Sequence, residues 1–285
     1  MRSEALFRLA VSTIGLALAM SAAQAAPAAG VVHLAPHRAI YDLKLQRSHG
    51  TRGIENVRGR ILYDFSGSAC EGYTLQFRQV SELSSGESAP VLSDLRSTTW
   101  EDGAAKKFRF SSENLLNEKR TEAVDGHADR SADAVTVTLS KPEQKTLAIT
   151  GSAVFPTEHM RRIVEAARAG KTVLEFPVYD GSENGQKLYN TLTVIGKPLA
   201  PTDKPADDAA AKNPSMVAMT RWPVTISYFD KQEDGKEVGE QQPVYAITFE
   251  IYENGISRAL TLAYSDFTLS GKLTSLDVKA PKPCP

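Results

Sequence analysis

Cys70 and Cys284 are the two cysteines of this 285-residue sequence, and the chemistry of their thiols depends on the compartment. A reducing cytosol keeps thiols free, whereas an oxidising compartment favours a disulfide between an even number of cysteines. A zinc site needs more ligands than two cysteines supply, and the C-x-x-C motif that usually marks a redox site is missing. An intrachain disulfide, free thiols and a bond to a second molecule are the open choices.

The N-terminal residues have the pattern of a cleaved secretory signal peptide. Arg2 and Arg8 precede an apolar segment, residues 9–20, which is shorter than the roughly 20 apolar residues of a transmembrane helix. The tripeptide Ala-Gln-Ala that ends at Ala25 matches the A-x-A cleavage pattern, so we expect cleavage between Ala25 and Ala26. A membrane-retained helix is the alternative. We therefore expect an exported, periplasmic protein.

Export favours an intrachain disulfide between Cys70 and Cys284 over the other two states of the thiols. Cys70 lies in residues 61–80, where apolar and polar residues alternate on both sides of a Gly-Ser turn. This alternation predicts a β-hairpin. The bond would tie the C-terminal tail, residues 277–285, to that hairpin.

Other groups that could support catalysis are scattered along the sequence. His33 and His37 are four residues apart, but Pro36 between them disfavours the helix that would bring them together, so we expect no metal site. The sequence has no G-x-S-x-G, H-E-x-x-H or glycine-rich nucleotide motif. We expect no catalytic residues, no cofactor and no enzymatic activity. An enzyme that cleaves glycans with two carboxylates is the less favoured alternative.

The composition is that of a globular protein, and its charge gives information about one functional class, the nucleic-acid-binding proteins. Hydrophobic residues make up 41% and charged residues 24% of the chain, enough apolar residues for a sizeable core. The formal net charge of −1 gives no indication of nucleic-acid binding, which needs a concentrated basic face.

Alternating apolar residues predict about a dozen strands, and the short connections between them indicate antiparallel pairing. One segment, residues 157–169, has the apolar spacing of a helix, with Thr157 as its predicted N-cap. Residues 198–214 are rich in Pro, Ala, Asp and Lys, and we expect an exposed, flexible loop there. The sequence thus predicts a mainly β protein with one helix or two, and a single domain over residues 26–285.

Aromatic residues recur on the predicted strands, for example Tyr41, Tyr63, Phe77, Tyr228 and Tyr264. The simplest interpretation is that they fill the core of a closed or curled sheet. The alternative is an apolar lumen that holds a lipid or another amphiphile, because antiparallel barrels with open mouths often bind ligands.

Most of the chain after the signal peptide resembles the EipB family of alphaproteobacterial periplasmic cell envelope integrity proteins. The segment that contains Cys70 is the most specific part of the resemblance. The matching stretches are HRAIYDLKL (37–45), GRILYDFSGSACEGYTLQFR (59–78), TTWEDGAAKKFRF (98–110), FPVYDGSENGQKLYNTLTVIG (176–196) and YENGISRALTLAYSDFTLSGKL (252–273).

This resemblance implies a monomeric β-spiral, which is an incompletely closed barrel-like sheet of about 12–14 strands. It also implies a disulfide between Cys70 and Cys284 and a non-enzymatic role in envelope integrity and envelope-stress resistance. A periplasmic tetratricopeptide-repeat protein is the expected partner, with an envelope lipid or a peptidoglycan component as a further possibility. Residues 200–214 are where the chain departs from the family pattern.

Overall fold

The computed structural model describes residues 32–49, 53–86, 88–203, 207–230, 241–280 and 284. The predicted signal peptide and its cleavage position, Ala25 and Ala26, lie outside these residues. The described chain forms one mainly β structure with a single α-helix and a short 3₁₀ helix.

Fourteen strands carry the fold in the described residues. They are β1 His37–Ser48, β2 Ile54–Ser68, β3 Gly72–Ser85, β4 Val91–Glu101, β5 Lys107–Leu116, β6 Lys119–Arg130, β7 Ala134–Lys141, β8 Lys145–Thr150, β9 Val173–Val178, β10 Tyr189–Ile195, β11 Arg221–Asp230, β12 Tyr245–Tyr252, β13 Ser257–Ala263 and β14 Phe267–Val278. The helix α1 is Pro156–Arg168, and the 3₁₀ helix is Ala209–Lys212.

The strands form one antiparallel sheet in the order β8-β7-β6-β5-β4-β3-β2-β1-β14-β13-β12-β11-β10-β9. Each strand pairs with its neighbour in sequence, except that β8 and β9 do not pair and β1 pairs with β14. The first and last strands therefore lie side by side in the middle, and β8 and β9 form the two edges. The sheet is not closed, which confirms what the family resemblance implied.

Two hydrophobic cores lie on the inner face of the curled sheet. The first is formed by β1–β3, β10–β14 and α1, and it includes Tyr41, Leu43, Phe249, Ile251 and Leu273. The second lies under β5–β8 and includes Phe108, Phe110, Val135 and Val137. Phe155, which precedes α1, and Tyr179, which follows β9, complete it. Strand alternation explains both cores, because every second side chain points inward.

The helix α1 connects the two edge strands, and its N-terminus is held from another strand. Thr157 was predicted as the N-cap, which is wrong: the cap position is Phe155, whose side chain accepts no hydrogen bond. The carboxylate of Glu101 on β4 instead accepts hydrogen bonds from the backbone N–H groups of Thr157 and Glu158, each at 2.8 Å. A carboxylate suits this position because the helix dipole is positive there. Burial nevertheless raises the pKa of Glu101 to about 7.

Residues 207–216 pack against the sheet and differ from the exposed loop that the sequence predicted. Asp208 is buried and pairs with Arg258 of β13 at 2.7 Å between Oδ2 and Nε. Ala210 and Met216 are also buried. The apolar and charged contacts come from distant strands, so the local composition of this segment does not reveal them.

Cys70 and Cys284 are joined by a disulfide, with 5.7 Å between their Cα atoms. Cys70 lies in the turn between β2 and β3, and Cys284 follows the last strand. Two non-covalent contacts hold the chain just after β14: Lys279 N–H donates to the carbonyl of Pro36, and its Nζ lies 2.6 Å from Asp64 Oδ1. The C-terminal tail is therefore attached to the first strands of the sheet.

We expect Cys70→Ser and Cys284→Ser each to lower the free energy of unfolding. The bond spans 214 positions in sequence, and the chain-entropy description gives roughly 5 kcal/mol as an upper value for such a loop. The double variant should be no less stable than either single variant, because all three lack the same bond. Denaturant unfolding under oxidising conditions measures this. Additive losses would show that the two residues act separately.

Candidate functional site

The residues that the sequence singled out for chemistry are not brought together into one centre. His33 is exposed, whereas His37 is buried, bonds the carbonyl of Ala35 through Nδ1 and stacks on Tyr63 at 5.4 Å between ring centroids. Cys70 is occupied by its disulfide. Across the described part of the chain, no group of three or more His, Cys, Asp or Glu side chains could hold a metal ion.

A row of five aromatic rings at one end of the sheet interior is the candidate site, and we name it the aromatic end. It consists of Tyr189, Tyr228, Tyr245, Tyr264 and Phe267. Successive ring centroids are 5.8, 5.8, 5.1 and 4.9 Å apart, within the range of favourable aromatic pairs.

The strand register builds this row. Tyr228 near the end of β11 pairs directly with Tyr245 at the start of β12, and Tyr264 and Phe267 flank the turn between β13 and β14. All five rings therefore lie where strands β10–β14 begin or end on the same side. The side chain of Gln79 on β3 lies near the phenol of Tyr264.

The opposite end of these strands is covered by α1. Arg168 at the last helical position donates a hydrogen bond from Nη2 to the carbonyl of Glu253, in the turn between β12 and β13. Ile163 and Val164 of the helix are fully buried in the first core. By contrast, Tyr245 and Tyr264 are only half-buried, so the aromatic end is the more accessible end of the interior.

A polar rim borders the aromatic end. The hydroxyl of Tyr189 donates to Glu183 Oε1 at 2.7 Å, and Lys187 pairs with both Glu183 and Asp230. An apolar and aromatic surface with charged groups at its border can accept a molecule that is apolar at one end and polar at the other. The sequence predicted the inward aromatic residues, but it did not show that five of them form one row at one end.

No helix among the described residues is both long and apolar enough to cross a membrane.

Comparison with known proteins gives matches over nearly the whole chain. The family profile described as EipB-like matches residues 28–280. The chain is 39% identical over 275 residues to the cell envelope integrity protein EipB of Brucella abortus (strain 2308), covering 95% of this chain and 94% of the relative. A crystal structure of a β-barrel-like protein from Brucella abortus, of a domain of unknown function, is 38% identical. It matches with a TM-score of 0.80 and covers 87% of this chain and 100% of that one.

We expect the phenols of the native protein to resist ionisation near pH 10. Burial raises the pKa of all nine tyrosines, to about 12 for Tyr63 and Tyr189 and well above the usual value for Tyr245. Because the unfolded chain ionises near pH 10 and the folded chain ionises later, stability is full below pH 10 and falls as the pH rises above it.

Absorbance at 295 nm during alkaline titration measures this. At pH 10 the native protein should show clearly less than half of the total phenolate signal, and the same chain in denaturant should show about half. Equal signals from the two samples would contradict the burial of the tyrosines.

Proposed function

The chain belongs to the EipB-like family, and we propose that it supports cell envelope integrity as a non-enzymatic periplasmic protein. The observation that carries the proposal is the match to the Brucella abortus envelope integrity protein, which extends over 94% of that relative. The family profile over residues 28–280 covers all fourteen strands and the helix together. The N-terminal signal pattern supports export.

We further propose that the protein acts by binding a periplasmic protein partner, with a tetratricopeptide-repeat protein as the first candidate. The family resemblance supports this partner. An open sheet whose outer face is exposed in the described chain offers a surface on which a second protein can dock.

Deletion of the gene in its own host tests the envelope role. Loss of the protein should sensitise cells to detergent and to cell-wall antibiotics, and expression of residues 1–285 should restore resistance. A matched control that lacks residues 1–25 should stay in the cytosol and fail to restore it. Unchanged resistance in the deletion strain would overturn the proposal.

The partner is tested with purified proteins. Titration of the candidate repeat protein into residues 26–285 should give saturable heat, with a defined stoichiometry. A complex that forms only with unfolded or reduced protein would argue against specific binding, as would the absence of heat at high micromolar concentration.

The aromatic end supports a second candidate function, the carriage of a lipid or another envelope amphiphile. Half-buried Tyr245 and Tyr264 stand in one row with Tyr189, which contacts Glu183 and Lys187. The row and these charged groups match the two ends of such a ligand. A fluorescent fatty acid should bind the wild-type protein, and Tyr245→Ala should weaken binding about 10-fold.

Tyr252→Phe at the covered end of the same strand is the matched control and should leave this affinity unchanged. Native mass spectrometry of protein made in the periplasm should also show bound amphiphile. An apo mass throughout, together with equal binding by both variants, would exclude the carrier function.

A further inference from the structure

A groove crosses the outer face of strands β3–β7, on the side of the sheet opposite to the two cores. It consists of two adjoining hollows of about 780 and 390 Å³, which share Thr98 and Ser111. We name it the outer groove. The proposed function names the outer face only as a surface for a protein partner and assigns no role to the residues of this groove.

Cross-strand register brings polar and aromatic residues into rows along the outer groove. Trp100 of β4 pairs with Arg109 of β5, which pairs with His127 of β6, which pairs in turn with Thr138 of β7. Residues directly opposite in adjacent strands share a face of the sheet. Four side chains from four strands therefore line one end of the groove.

The Trp100 indole is held in a fixed position. Its ring lies over Gly72 of β3, where a Cβ atom would come within 2.7 Å of three ring atoms. The guanidinium carbon of Arg109 lies 5.2 Å from the ring centroid, in the geometry of a cation–π contact. Trp100 remains half-buried, so part of the ring is available at the groove. A rigid aromatic surface of this kind can pack against the apolar face of a sugar ring.

Neutral hydrogen-bonding groups surround this aromatic residue. Residues with hydroxyl or amide side chains line the larger hollow, among them Thr98, Ser111, Thr138, Ser140, Gln144 and Thr146. Hydroxyls and amides can both donate and accept hydrogen bonds. An aromatic surface within a ring of such groups matches the alternating hydroxyl and C–H surfaces of a carbohydrate.

The charge of the outer groove indicates which sign of charge its ligand carries. Six cationic side chains line the two hollows (Arg78, Arg96, Arg109, Arg120, Lys141, Lys145) against two carboxylates, Glu113 and Asp125. The protein as a whole has a net charge of −1, so the cationic excess is local. An anionic ligand is therefore favoured at this face.

Most of these cations are already paired. Arg78 and Arg96 share Asp94 at 2.8 and 2.7 Å, and Arg96 and Arg120 share Glu113. Lys145 lies 2.6 Å from Gln186 Oε1 and 3.9 Å from Glu143.

Arg109 and Lys141 form no ion pair with any part of the chain that the structure describes. Two cations that lack an ion pair in the described chain suit a glycan with a few carboxylates better than a phosphate-dense polyanion.

We propose that the outer groove binds the glycan of peptidoglycan, an amino-sugar strand whose stem peptides carry carboxylates. The sugar packs against Trp100 and hydrogen-bonds the surrounding hydroxyls, while Arg109 and Lys141 receive the carboxylates. This interaction would hold the protein at the cell wall and leaves the aromatic end free. This proposal rests on the periplasmic location that the proposed function includes. It does not depend on the proposed protein partner.

Calorimetric titration of residues 26–285 with a purified disaccharide-tetrapeptide from digested sacculi tests the proposal. We expect saturable binding, and about 10-fold weaker binding for Trp100→Ala and for Lys141→Ala. Arg47→Ala removes an exposed cation from β1, outside the groove, and should leave the affinity unchanged. Thermal melting shows whether loss of the Trp100 ring unfolds the sheet. If it does, the Lys141 variant still tests the proposal.

Two further probes distinguish recognition of the sugar from recognition of the ligand's negative charge. The neutral tetramer of N-acetylglucosamine should bind more weakly than the disaccharide-tetrapeptide, because it lacks carboxylates. Phosphorylated core oligosaccharide of lipopolysaccharide should not bind more tightly. Tighter binding of the phosphorylated probe, equal affinities for all variants, or no binding of the disaccharide-tetrapeptide would overturn the proposal. These results are independent of the deletion phenotype and of the partner titration.

Discussion

The pairing of β1 with β14 is the contact on which the rest of the structure depends. It joins the first and last strands in the middle of the sheet, so that β2–β8 extend to one side and β13–β9 to the other. Without this ladder, no strand of one half of the described sheet would pair with a strand of the other half. The disulfide from Cys70 to Cys284 and the contacts of Lys279 lie beside the same pair of strands. They reinforce a contact between residues that are far apart in sequence, whose closure is entropically costly.

The open sheet that results needs other contacts to hold its shape. The helix α1 spans the distance between the edge strands, and Glu101 of β4 fixes its N-terminus. Glu158 beside this cap is 4% exposed and is compensated by Arg130 and Arg162 at 2.7 and 2.6 Å. Buried charges are tolerated here because each is paired and hydrogen-bonded. The curl of the sheet is thus held by specific polar contacts in addition to its apolar cores.

The two faces of one sheet support different chemistry. The inner face is apolar and ends in a row of aromatic rings, whereas the outer face carries Trp100, arginines and hydroxyl groups. The alternation of side chains along every strand separates the two faces. The proposed amphiphile and the proposed cell-wall glycan would therefore bind on opposite faces without competition.

Most of the strands, the helix, the antiparallel pairing and the single possible intrachain pairing of the cysteines were predictable, because alternation, turn residues and residue counts can be read directly from the sequence. Which residues meet across the sheet became clear only from the folded chain. Glu101 rather than Thr157 caps α1. Asp208 pairs with Arg258, and Trp100 lies beside Arg109. Each contact joins different strands or segments, and its geometry follows from register and curl. The aromatic end was therefore predictable as inward-facing residues, but its arrangement as one row was not.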